Sequence, residues 1–335
     1  MDLRSSTATE IVSTRKAGAP APRVSVAVST YQRASMLGRL FAALDRQTLP
    51  KDEFEVVLVD NGSSPETARA IRDLAPAVSF PLHVLRLEDN KGPSAGRNIA
   101  WRNAQAEIVA FTDDDCSPAD DWLEQGLDAM CEGNSVVVGR TKPDPALPIG
   151  PFSRTVHVGD ANWLPTCNVF YLREDLEAVG GFDEAFVEPG CEDTDLGYRV
   201  RAACGRDVRF VSEALVFHDV RPSKFLDAAK ETGRWTDTPR FFRIHPEGRA
   251  ALHRGIFWKP SHPKVLLALA GILLAPLRPW TLVLTLPWLY YRTRVRRPPG
   301  RKRHSYAALP GTFVVDLLET VAMVRGSIRH RTFIL

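Results

Sequence analysis

EVVLVDNGSSP, residues 55–65, is an apolar run that stops at an aspartate and gives way to Asn-Gly-Ser-Ser-Pro. Unbroken valine and leucine over this length is the pattern of a strand covered on both faces. The Asn-Gly and Ser-Pro steps punctuate it ahead of a helical stretch from Glu66 to about Leu74. The same order of strand, loop and helix recurs on either side. Val24, Val26 and Val28 alternate with small residues before Leu37, Leu40, Phe41 and Leu44 recur at helical spacing. LHVLRL (82–87) precedes the loop Asn90-Lys91-Gly92-Pro93 and a helix through Trp101, and the next apolar run, from Glu107, ends in FTDDDCSP (111–118). Strands alternating with helices predict an α/β fold, a mostly parallel sheet with helices on both faces.

In such sheets ligands bind outside the carboxyl ends of the strands. Thr30-Tyr31, Asp60, the Asn90–Asn98 loop and Asp113–Asp115 each follow a strand, so the four segments should converge on one edge. The first strand runs into STYQR (29–33) rather than a GxGxxG turn, which disfavours a dinucleotide-binding dehydrogenase. Further on, residues 159–174 read as a loop entering a strand and 180–183 as a tight turn. Residues 192–205 read as a helix closed by a glycine cap, and 208–216 as a strand pair running up to His218.

With 335 residues, 44% of them hydrophobic, the chain can build a large core without staples. Its five cysteines are odd in number and widely spaced with no CxxC, which suggests neither a disulfide framework nor a zinc site. The net charge of +3 hides an asymmetry: residues 261–335 hold 12 Lys/Arg against 2 Asp/Glu, leaving 31 against 38 in residues 1–260. Residues 1–22, rich in Ser, Thr, Ala and Pro, lack the pattern of a secretory signal and read as a disordered leader. The expected organisation is that leader, a catalytic domain over 23–258 (donor half 23–118, acceptor half 119–258), and a distinct helical region over 259–335.

Three consecutive carboxylates at a strand end repel one another unless a cation neutralises them. Oxygen ligands then point to Mg2+ or Mn2+ bridging a diphosphate. A solvated acidic turn ahead of a helix near Asp120 is the alternative. For EDTD (192–195) the residues alone fit an acidic helix N-terminus as well as a catalytic carboxylate. His218, after a strand, fits either a metal ligand or a capping histidine.

The ordered set VSVAVSTYQR, VVLVDNGSS, NKGPSAGRN, FTDDDCSP, GGFDEAF, EDTDLGYRVRAACG and VFH, from about Val24 to about His218, resembles the family 2 glycosyltransferases. The resemblance implies a GT-A fold and a UDP-, GDP- or dTDP-sugar donor. By the same resemblance Asp60 meets the nucleobase, Arg97 lies against the nucleotide, Asp113 and Asp115 form the DxD element with Asp115 on the metal, and Asp193 is the general base of an inverting transfer. His218 matches a third metal ligand in some relatives. Thr30, Tyr31, Arg33, Gly92 and Asp114 join the expected donor site, with Gly92 and Gly96 permitting close backbone approach. Asn168, Glu192 and Trp235 are expected on the acceptor side. Processive members carry QxxRW, whereas residues 231–235 here are ETGRW, so a single addition is expected. A catalytically silent nucleotide-sugar binding protein, serving as a membrane assembly partner, is the alternative.

Residues 265–291 are almost continuously apolar but are broken by Pro276, Arg278, Pro279 and Pro287. One crossing would put the seven positive charges of residues 292–303 outside a cytoplasmic protein, against the positive-inside tendency. Two short arms joined at the bend of Pro276, Arg278 and Pro279 would return that cluster to an anionic membrane surface, and 313–324 reads as an added amphipathic helix. A soluble helical subdomain or a dimer interface is the other reading. The expectation is therefore an enzyme at the cytoplasmic face of the membrane acting on a glycan or lipid-linked acceptor. Without interleaved aromatics in the basic cluster, no nucleic-acid partner is expected.

Overall fold

The computed structural model describes residues 8–15, 18, 20–133, 135–186, 190–295 and 306–335. The chain divides into two compact units, residues 1–146 with 156–219, and residues 147–155 with 220–335. The division thus falls after Asp219 rather than at the expected boundary after residue 258.

The first unit contains β1 (Thr9–Ser13), β2 (Val24–Thr30), α1 (Ala34–Asp45), β3 (Phe54–Asn61), α2 (Pro65–Leu74), β4 (Leu82–Leu87), α3 (Pro93–Arg102) and β5 (Ile108–Phe111). It continues with β6 (Cys116–Pro118), α4 (Trp122–Cys131), β7 (Ser135–Pro143), β8 (Val169–Leu172), α5 (Arg173–Val179), α6 (Glu192–Cys204) and β9 (Asp207–His218). The nine strands among the described residues share one sheet in the order β1-β4-β3-β2-β5-β8-β7-β9-β6. The sheet is mixed. β4, β3, β2 and β5 run parallel as expected, and β7 is parallel to β9, but β1, β8 and β6 pair antiparallel with their neighbours. Residues 207–218 form one long strand rather than a pair, with a register shift opposite Gly139/Arg140.

Every residue of β3 is buried, which is why its apolar run shows no alternation. Besides Asp60 and Asn61 at its carboxyl end, β3 buries Glu55, a carboxylate that accepts from Ser25 Oγ at 2.6 Å and the Gln105 amide at 2.7 Å and pairs with Arg15. Arg15 comes from the stretch expected to be a disordered leader. That expectation is corrected for Thr9–Ser13: Thr9 pairs with Arg86 and Ser13 with His83 along the free edge of β4. Residues 1–7 of that leader lie outside the described residues.

Register places the strand ends that matter. Thr30 sits beside Asp60 across β2 and β3, and Ala27 pairs with Phe111 across β2 and β5, so the loop after β5 opens next to Thr30. The order β4-β3-β2-β5 reverses direction between β2 and β5, the crevice where open α/β sheets take ligands. At the far edge the antiparallel pair β6 and β9 sets Cys116 opposite His218, which delivers Asp115 to the same place.

The second unit holds α7 (Phe225–Glu231), α8 (Thr238–Ile244), α9 (Ser261–Leu274), α10 (Leu286–Tyr290) and α11 (Leu309–Arg329). α9 is followed by a bend and a 3-10 segment over Pro279–Thr285, giving the two arms expected on either side of Pro276-Leu277-Arg278-Pro279. Val265 and Ala268 of α9 pack with Trp288 of α10 against Phe313 and Leu317 of α11. The basic cluster expected to face a membrane lies outside the described residues from Arg296 onward.

Candidate active site

Four of the expected segments meet at the carboxyl ends of β2, β3 and β5. Thr30 is buried and donates its hydroxyl to Asp114 Oδ2 at 2.7 Å, while Tyr31 is exposed. Arg33, one residue ahead of α1, donates through Nη1 to Asp114 Oδ1 at 3.0 Å and Asp115 Oδ2 at 2.9 Å. Asp114 is therefore a buried strut with both oxygens engaged, not a side chain presented to a donor. Burial pushes its carboxyl up to about 6; Arg33 pulls the other way, and the neighbouring aspartates add to the rise.

Asp60 is fully buried, accepting from the Ser63 amide at 3.0 Å and Arg86 Nη1 at 2.5 Å. Arg86, which also reaches the Ser63 carbonyl at 2.6 Å, was not among the expected site residues. Its signal in the sequence is a lone charge within the apolar strand LHVLRL. Gly92 takes a positive φ of 85° just before Pro93 opens α3, a turn that glycine enters without steric cost. Gly96 serves packing rather than donor approach: a Cβ there would lie 2.2 Å from Ser29 Oγ.

Arg97 projects from α3 into a carboxylate cluster. It donates through Nη2 to Asp113 Oδ1 and through Nη1 to Glu192 Oε1, both at 2.9 Å. Burial alone would weaken this cation, but Asp113 and Glu192 hold its pKa well above the ordinary value. In return, although burial opposes ionisation of Asp113, Arg97 and His218 keep its carboxyl below the ordinary range. Glu192 is buried, its second oxygen accepting from the Gly190 amide at 2.7 Å.

Asp193 follows at the head of α6, accepting from the Thr194 amide at 2.7 Å. Cys191, immediately before this helix, holds a left-handed φ of 72°, a conformation a non-glycine residue adopts only when its surroundings impose it. Burial, reinforced by the charge of Glu192, pushes the Asp193 carboxyl up to about 7, with Arg97 and the Thr194 amide opposing. That is the range in which a carboxylate works as a base at neutral pH.

Among the described residues, Asp115, Cys116 and His218 bring ligand atoms within 4.8 Å of one another. Asp115 Oδ1 is buried without a hydrogen-bond donor and lies 3.4 Å from His218 Nε2. His218 Nδ1 is 3.0 Å from the Asp219 carbonyl, which can only accept, so Nδ1 carries the proton and Nε2 faces Asp115. Burial, then the charges around it, pushes the Cys116 thiol well above its ordinary value, so it remains a neutral packing group. A carboxylate oxygen and an imidazole nitrogen are both ligand types for a divalent ion. Asp113, expected to share that ion, is instead engaged by Arg97.

Asn168, expected on the acceptor side, is placed elsewhere. Asn168 is fully buried: it accepts from Trp122 Nε1 at 2.9 Å and donates to the carbonyls of Arg140 at 3.0 Å and Ala214 at 2.8 Å. It joins α4, β7 and β9, and a loop position cannot reveal that from sequence. Asn168→Ala should lower stability by about 3 kcal/mol, because three buried polar groups lose their partner; the urea unfolding midpoint measures it. Trp235 belongs to the second unit, where its ring lies 5.5 Å from that of Trp258 and under Lys259.

Residues 25–149 match the glycosyl transferase family 2 model. These residues form a family 2 glycosyltransferase domain. It is 28% identical over 212 residues to glycosyltransferase AglE of Haloferax volcanii, covering 60% of this chain and 68% of that one. It is 30% identical over 279 residues to the validoxylamine A glucosyltransferase of Streptomyces hygroscopicus subsp. jinggangensis, covering 70% and 65%. Among solved structures, the mannosyltransferase PcManGT of Pyrobaculum calidifontis, in complex with GDP-Man and Mn2+, superposes with a TM-score of 0.58 at 21% identity. That superposition covers 93% of this chain and 88% of the other.

Proposed function

We propose that this enzyme moves a sugar, with inversion, from a nucleoside-diphosphate sugar to a hydroxyl of a cell-envelope or lipid-linked glycan. The observation that carries the reading is the Arg97 bridge. It ties Asp113, on the loop after β5, to Glu192, the neighbour of Asp193, and so sets a near-neutral carboxylate beside the donor loops.

Asp193 takes the proton of the acceptor hydroxyl as that oxygen bonds to the anomeric carbon. The bond from that carbon to the diphosphate breaks on the opposite face, and the nucleoside diphosphate leaves with the electron pair. Asp115 and His218 would hold a divalent ion, which supplies charge neutralisation at the leaving diphosphate. In this reading Arg33 and Arg97 orient phosphate oxygens, and the β3 end around Asp60 holds the nucleoside. The GDP-Man and Mn2+ in PcManGT support a nucleotide-sugar donor and a divalent ion here. The working location in this reading is the cytoplasmic face of a membrane.

The test is transfer from a panel of UDP-, GDP- and dTDP-sugars with Mn2+, repeated in EDTA, with the anomeric configuration of the product read by NMR. Chelation should abolish transfer, and the linkage should be opposite in configuration to the donor; retained configuration would overturn the mechanism. The pH profile checks the base. Asp193 must be ionised to act, so kcat should fall as pH drops through about 7, with a single acidic limb that Asp193→Asn removes.

A further inference from the structure

An exposed apolar cluster lies at the end of α9 and in the bend that leads to α10. The N-terminal part of α9 buries Ser261, His262 and Val265, whereas Ile272, Leu273 and Leu274 at its end are exposed. Beyond the bend Leu277 is 77% exposed and Trp280 70% exposed. The arms are fixed to each other where Thr281 donates to the Gly271 carbonyl at 2.9 Å, and a Cβ on Gly271 would lie 2.6 Å from the Thr281 carbonyl oxygen. The bend is therefore a pre-formed apolar wedge. From Gly248 to Val315 the sequence carries twelve Lys/Arg and no Asp or Glu, Arg278 lying within the wedge itself. Exposed apolar groups within a stretch of sequence that carries only positive charge match a bilayer with anionic headgroups.

α11 is the one helix among the described residues long and apolar enough to cross a membrane. Its acids are committed elsewhere. Asp316 is fully buried, accepting from Trp288 Nε1 at 2.8 Å and Arg292 Nε at 2.8 Å, and Glu319 accepts from Lys259 at 2.7 Å. Crossing would strip both carboxylates of partners inside hydrocarbon.

Resting on the membrane location in the proposed function, we propose that the bend between α9 and α10 inserts into one leaflet of an anionic bilayer. In this arrangement α11 stays outside as the support of the wedge. The exposed apolar part of α9, Leu267 to Leu274, is about 10 Å long at about 1.5 Å per residue. That fits within one leaflet of a hydrocarbon core about 30 Å thick.

The test is flotation of the full chain with sealed vesicles of phosphatidylglycerol and phosphatidylcholine. The parent should float with these and much less with phosphatidylcholine alone, and Leu277→Glu with Trp280→Glu should cut the floated fraction at least ten-fold. Both sites are solvent-exposed, so an unchanged thermal melt separates lost binding from lost folding. Acyl chains brominated near the headgroup end should quench a fluorescence component that Trp280→Phe removes, and external trypsin should still cut after Arg329. Equal flotation of parent and double variant would overturn the proposal, as would protection of Arg329 by the vesicle. So would a lipid-free dimer dispersed by the same double variant with no flotation of the parent, which would assign the wedge to a second copy. Donor consumption measured alongside keeps the two readings apart, since flotation does not depend on transfer.

Discussion

Asp193→Asn should lower kcat by about 10^2- to 10^4-fold, the usual contribution of a positioned general base, with the donor KM nearly unchanged. The amide keeps the size of the side chain and can still accept from the Thr194 amide, so the head of α6 should survive. Steady-state kinetics at saturating acceptor measure the loss. A thermal melt within about a degree of the parent would show that the fold is intact. A variant retaining most of its kcat would remove Asp193 from the role of base.

Arg97→Met should be the most damaging single change to the fold of the site. The guanidinium is mostly buried and is the shared partner of Asp113 and Glu192, so its removal takes from both carboxylates the cation they share. Breaking a buried pair from one side costs about 3–5 kcal/mol, and this change breaks two. Urea unfolding should register a loss in that range or above, along with loss of transfer. Adding Asp113→Asn and Glu192→Gln to Arg97→Met should restore much of the stability but not the activity. That pattern separates the electrostatic role of Arg97 from its part in donor binding. If Arg97→Met unfolds at the parental midpoint, the bridge contributes nothing to the fold.

The parallel half of the sheet was legible because its strands are buried on both faces and their turn residues stand at the ends. The helix predicted from Glu66 begins at Pro65, and LHVLRL is the strand Leu82–Leu87. Strand direction in the second half was not legible. β6 has only three residues, and β8 follows a long irregular loop, so neither carries a period from which pairing could be read. β1 was hidden by the polar composition around it, since what orders TEIVS is an unpaired edge of β4 and a buried Glu55 that no local pattern reveals. The convergence of the strand-end segments was legible because position in an α/β sheet is itself a signal. Asp114 and Asn168 were misplaced because a polar residue in a motif and one satisfied in the interior look alike until their partners are known. Arg86 was passed over for the opposite reason, an ionic residue inside a strand that reads as core.

The pairing of Ser13 with His83 and of Thr9 with Arg86 spans 70 and 77 residues of chain. During synthesis β1 is exposed well before the strand that completes it exists. Glu55 likewise enters a forming core that needs Arg15 to remain close by. The edge of the sheet must therefore close late, after β2, β3 and β4 have assembled, because distant pairings bear their loop-closure entropy before any contact offsets it. The unit that folds together is thus wider than residues 25–149, by which the family is recognised.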